Sequence, residues 1–76
     1  MFMKLYIFTF GIHHELSDRY QGIYATDETA ATKLMFKYHG KNWSACYTEE
    51  EFQQLQNRGM FRGLKPLKAI RQEEGK

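Results

Sequence analysis

The residues best equipped for chemistry are few: His13, His14 and His39, the single cysteine Cys46, and the carboxylates Glu15 and Asp18 that follow the paired histidines. A zinc site needs three or four such side chains to converge. Adjacent histidines in an extended loop point apart, so His13 and His14 would need Glu15, Asp18 or His39 brought in beside them. The plainer reading is a polar loop with solvated imidazoles, and no metal or cofactor is expected. General acid–base work by a histidine finds no nucleophile or paired carboxylate at a telling spacing. Cys46 lies between Ala45 and Tyr47; a catalytic thiol needs a nearby base and a depressed pKa, whereas a cysteine in an apolar segment behaves as a small hydrophobe. No catalytic residue is assigned, and the chain reads as a non-enzyme.

The elements that must position these residues have little material to work with. At 76 residues the chain is read as a single domain, 1–76, near the lower limit for a self-sufficient core. One cysteine allows no intrachain disulfide, which fits a reduced, cytoplasmic protein. The longest apolar run, Leu5–Phe8, is far too short to cross a bilayer, and the start MFMK lacks the features of a signal peptide, so no membrane association is expected. Six Phe, five Tyr and one Trp are the compositional signature; large rings supply core area in a short chain and also anchor interfaces. The charge balance of 11 basic against 9 acidic residues is mild, but its distribution is not even. Arg58, Arg62, Lys65, Lys68 and Arg71 fall in a stretch from 58 to 71 that contains no acid.

Alternation over residues 2–10 predicts a strand, with Phe2, Lys4, Tyr6, Phe8 and Phe10 on one face and Met3, Leu5, Ile7 and Thr9 on the other. Both faces are largely apolar, so it should be central. GIHHELSD at 11–18 reads as a long hairpin loop. A second strand follows at 19–25, with Ile23 and Ala25 expected on the Leu5/Ile7 face and Tyr20 and Tyr24 on the Tyr6/Phe8/Phe10 face. Thr26 or Asp27 caps a helix whose stripe is Ala31, Leu34, Met35 and Tyr38, and Gly40 suits its left-handed end. Phe36 falls outside that stripe. Asn42–Tyr47 is a short extended segment with Trp43, Ala45 and Tyr47 expected on one face. Thr48 and Glu51 form a capping box for a helix to Asn57, with Phe52 and Leu55 inward and Gly59 as the stop. A last strand is expected within Leu64–Arg71, at an edge because Pro66 cannot donate to a ladder. The fold class is α+β: a two-layer domain of order β-β-α-β-α-β, its mainly antiparallel sheet packed by two helices.

Two surfaces invite binding. The rings Tyr6, Phe8, Phe10, Tyr20 and Tyr24 would form an aromatic sheet face able to stack unpaired bases, with Arg58, Arg62, Lys65 and Lys68 following a phosphate backbone. Those rings would equally serve as a second core, a bed for helix two, or a homodimer interface. Phe36 and Phe61 are further anchors; Phe61, in RGMFRG, is either an interface hot spot or a core residue that closes its loop.

FTFG at 8–11, the segment Tyr20–Tyr24, ATDETAA at 25–31, KLMFKYHGKNW at 33–43 and YTEEEF at 47–52 occur in that order. The pattern resembles small proteins encoded by phages and prophages of Gram-positive bacteria, over residues 5–52. The resemblance implies no catalytic residues. It implies a small accessory protein, in the host cytoplasm, that binds a host bacterial protein and by analogy inhibits a defence complex such as a CRISPR effector. The alternative is a single-stranded nucleic-acid-binding module using the aromatic face and the basic C-terminal segment. Homodimerisation is compatible with both.

Overall fold

A computed structural model of the chain describes residues 2–11 and 15–72. Strand β1 (Lys4–Phe10) is buried continuously from Tyr6 to Phe10, as a run apolar on both faces demands. It lies between two antiparallel neighbours, β2 (Arg19–Ala25) and β3 (Trp43–Thr48). Helix α1 (Glu28–His39) joins β2 to β3, and α2 (Glu49–Asn57) leads from β3 to two short strands, β4 (Lys65–Pro66) and β5 (Ile70–Arg71). Both run parallel to β2, along its outer side, completing a mixed five-stranded sheet of order β3-β1-β2-β4 with β5 also on β2. The fold is α+β and mostly antiparallel, in the expected order, except that the C-terminal strand is two pieces.

The β1–β2 register sets Lys4 opposite Ala25, Tyr6 opposite Ile23 and Phe8 opposite Gln21. Directly opposed residues share a face, so even-numbered residues of β1 lie with odd-numbered residues of β2. Ile23 and Ala25 therefore stand beside Tyr6 and Phe8, not on the Leu5/Ile7 face. Tyr20 and Tyr24 are on the opposite side, with Leu5, Ile7 and Thr9. The sequence pattern could not choose between these parities because β1 is apolar on both sides.

α1 covers the first face. Tyr6, Phe8, Phe10, Ile23, Ala25, Ala31 and Met35 form one buried cluster, with Phe8, Ile23 and Met35 the largest wholly enclosed side chains. The helix begins where Asp27 accepts a hydrogen bond from the Ala30 amide at 2.8 Å. It ends at Gly40, whose φ of +71° turns the chain while its N–H reaches Phe36 O at 3.0 Å. Tyr38, at the end of the expected stripe, is 55% exposed and lines a groove rather than the core.

α2 covers the other face, which refines the layering: the sheet lies between its helices. Thr48 Oγ1 accepts from the Glu51 amide at 3.1 Å and Glu51 Oε1 accepts from the Thr48 amide at 2.9 Å, completing the capping box. Phe52 is buried against Tyr20 and Tyr47, with ring centroids 5.0 and 6.3 Å apart. A bulge between Thr9 and Phe10 makes Ser44 the extra residue of β3. It turns Trp43 back onto the α1 side, edge-on to Phe8 at 5.0 Å, so Trp43 does not share a face with Ala45 and Tyr47 as its spacing suggests.

Met35 has no exposure and bridges helix to sheet. Met35→Ala is expected to lower stability by about 2–5 kcal/mol, read as a reduced midpoint in urea unfolding.

Candidate functional site

The rings proposed as a binding face are divided by the hairpin register. Tyr6, Phe8 and Phe10 are buried beneath α1 at 7%, 0% and 6% exposure, so they are core and cannot stack a ligand. Tyr20 is half-buried under Phe52. Tyr24 stays 36% exposed, with the Arg71 guanidinium 5.9 Å from its ring centre. Phe36 is 48% exposed and leans on Trp43 at 6.0 Å; the indole Nε1 of Trp43 is buried without a hydrogen-bond partner among the described residues.

Phe61, half-buried, folds its loop down onto α2 and β3. It stacks on Phe52 at 5.3 Å and 15° and meets Tyr47 at 5.5 Å. To get there it takes a φ of +58°, unusual for a residue with a Cβ. That conformation costs on the order of 1–2 kcal/mol, which the stacking and burial must offset.

The cations remain outside. Arg58, Arg62, Lys65, Lys68 and Arg71 are all exposed. Lys65 and Arg71 stand in β4 and β5, and Lys68 in the link between them, so these three line one lateral edge of the sheet, whereas Arg58 ends α2 and Arg62 lies in the turn after it. Arg19, opposite Lys65, adds to it and holds the carboxylate of Asp18 at 3.6 Å.

Between this edge and the end of α1 is a groove of about 550 Å³, lined by Gln21, Tyr38, His39, Leu67 and Lys68 together with residues 69–71. Its floor is organised by Gln21, a polar residue only 2% exposed beside Ile23 on the same face of β2. Gln21 Nε2 donates to Gly22 O at 2.9 Å and to Lys68 O at 2.8 Å. Its Oε1 is therefore the acceptor for His39 Nε2 at 3.0 Å, which assigns the proton to that ring nitrogen; the reversed amide would aim oxygen at two carbonyls. The His39 ring also meets Phe10 edge-on at 5.2 Å. Just past the groove-lining residues, Gln72 ties the chain to the end of β2, its Oε1 accepting from the Thr26 amide at 2.8 Å while its own backbone N–H donates to Tyr24 O at 2.8 Å. The result is a partly apolar trough, with Leu67 and Ile70 half-buried, exposed Tyr38 at its mouth and Lys68 beside it. Sequence reasoning passed over Gln21; the available signal was an amide side chain in a strand whose inward neighbours are apolar.

Cys46 packs half-buried against the α1 core. Loss of solvent, and then the carboxylates of Glu28 and Glu51, push its thiol up to about 11, the reverse of what a nucleophile requires. His13 and His14 lie outside the described residues. Among the described residues no group of three His, Cys, Asp or Glu side chains could hold a metal ion, and no helix is long and apolar enough to cross a membrane. Scans against protein-family models, curated proteins and solved structures gave no match to the chain.

Gln21→Leu should cost about 1–3 kcal/mol, because it removes the side-chain donor that the Lys68 carbonyl receives; amide exchange along β4 and β5 should accelerate more than in β1. Cys46 should react with iodoacetamide at pH 8 roughly a hundredfold more slowly in the folded protein than in denaturant. Since only the unfolded chain loses that proton between pH 9.0 and about 11, stability should fall across this window as pH rises.

Proposed function

We propose that this chain is a non-enzymatic accessory protein that acts by binding another protein, and that it takes an acidic segment of that partner along the groove and basic edge at the C-terminal side of its sheet. The observation that carries this reading is the combination at one place of a partly apolar trough with an exposed row of cations, Lys65, Lys68 and Arg71, on the adjoining edge. Apolar contact in the trough would supply affinity, and the cations would steer an acidic partner and set its register. The resemblance noted above supplies the setting: a phage or prophage product in a bacterial cytoplasm, whose partner is a host protein such as a component of a defence complex.

The single-stranded nucleic-acid alternative loses its stacking platform, since Tyr6, Phe8 and Phe10 are enclosed by α1. The cations alone do not carry it, because stacking was what would hold the bases.

Affinity capture from bacterial lysate, comparing the wild type with a Lys65→Glu, Lys68→Glu, Arg71→Glu variant, tests the proposal. These side chains are exposed, so the fold should survive. Retained proteins should be lost from the variant and should elute as salt rises. A retained set indifferent to the reversal would refute the assignment. Salt-dependent binding of single-stranded oligonucleotides, abolished by the same reversal, would instead favour the nucleic-acid reading.

A further inference from the structure

The two lateral edges of the sheet differ in kind. On one side β4 and β5 are two residues each, Pro66 sits in the first, and cations line both. Short strands, proline and charge are the usual means of keeping an edge from pairing with another chain. On the other side β3 has none of these; its one irregularity is the bulge at Ser44, and Ala45–Thr48 keep an unbroken register with β1. It runs six residues, Trp-Ser-Ala-Cys-Tyr-Thr, without a charge or a proline, and among the described residues its outer side has no strand partner. Its flanks are charged and opposite: exposed Lys41 precedes it, and exposed Glu49, Glu50 and Glu51 follow it.

We propose that β3 is the contact strand of a homodimer, pairing antiparallel with β3 of a second copy about a two-fold axis. The flanking charges select both occupant and direction. Antiparallel pairing brings Lys41 of each copy toward Glu49 and Glu50 of the other, and symmetry makes this contact twice. Parallel pairing would set lysine against lysine and carboxylates against carboxylates, which is unfavourable. Backbone groups alternate in direction along a strand, so opposed residues must have matching orientation. The axis therefore passes through a residue rather than between two, and Ala45 or Cys46 gives the fullest overlap of the strand. The two sheets become one, with both β3 edges buried at the centre and the two basic edges facing outward. Phe36, exposed against Trp43 at the beginning of β3, borders this seam. The inference is independent of the groove, which lies on the opposite edge.

Sedimentation velocity on the full chain at increasing concentration tests it. A monomer–dimer equilibrium is expected. Lys41→Glu alone, or Glu49→Lys with Glu50→Lys, should weaken the dimer about tenfold, as befits two exposed ion pairs turned into repulsions. The chain carrying all three substitutions should recover most of the loss. Lys41 precedes the strand and is exposed, so its reversal should leave the thermal melt followed by circular dichroism unchanged. A chain that stays monomeric at every concentration, or a dimer unmoved by either one-sided reversal, would overturn the proposal.

Discussion

Phe8 meets Ile23 and Met35 on one side of a strand whose next residues, Ile7 and Thr9, are buried on the other. A strand enclosed on both faces requires cover above and below, and in so short a chain each helix must supply one. α1 therefore takes the face with Ile23 and Ala25, while α2 takes the face with Tyr20 and Tyr47. Most of the aromatic content is consumed by this arrangement, while Phe2, Tyr24, Phe36 and Tyr38 stay exposed. Phe8, Phe10 and Trp43 serve the first layer; Phe52, Phe61, Tyr20 and Tyr47 serve the second. Covering both faces leaves the sheet margins and the end of α1 as the places where the molecule can offer backbone, charge or a trough to something else.

Those margins carry opposite instructions. The C-terminal edge is broken, proline-bearing and cationic, so it discourages another strand while attracting negative charge. The β3 edge is neutral between charged ends and keeps an unbroken register from Ala45 to Thr48. Both follow from the order of elements: the chain returns from α2 to the far side of β2, which leaves β3 outermost.

The features readable from sequence were those settled within one helical turn or one residue. Asp27 and Ala30, Thr48 and Glu51, and the left-handed Gly40 are interactions between near neighbours, and residue type alone specifies them. Pro66 marked an edge for a similarly local reason, its missing N–H. Features set by distant parts of the chain were not readable. The parity of the β1–β2 pairing depends on the loop between them, and two apolar faces give no preference. The bulge at Ser44 reverses Trp43, and nothing in the residues around it announces the extra position. The basic stretch was visible, but the trough beside it was not, because Gln21 and His39 become floor and wall only when residues 67–71 arrive. Phe61 illustrates the same limit: two readings of RGMFRG were open, and tertiary stacking on Phe52 selected one at the expense of a strained backbone.

The C-terminal segment is held by ties to residues far back in the sequence. The Gln21–Lys68 and Thr26–Gln72 hydrogen bonds span 47 and 46 positions, and β4 and β5 contribute only two ladder residues each. Backbone bonds from Lys65, Leu67 and Gln72 to β2 and its preceding turn, with Leu67 and Ile70 on the core, offset the entropy of closing so long a loop. The C-terminal segment is also one wall of the trough, so the trough exists only while the segment is docked. A ligand seated there draws its binding energy partly against local opening, and occupancy and order of the last strands become linked quantities. Gln21 of β2 and Tyr38 and His39 at the end of α1 form the rest of the trough, so that linkage runs from the last strands into the central hairpin and the first helix.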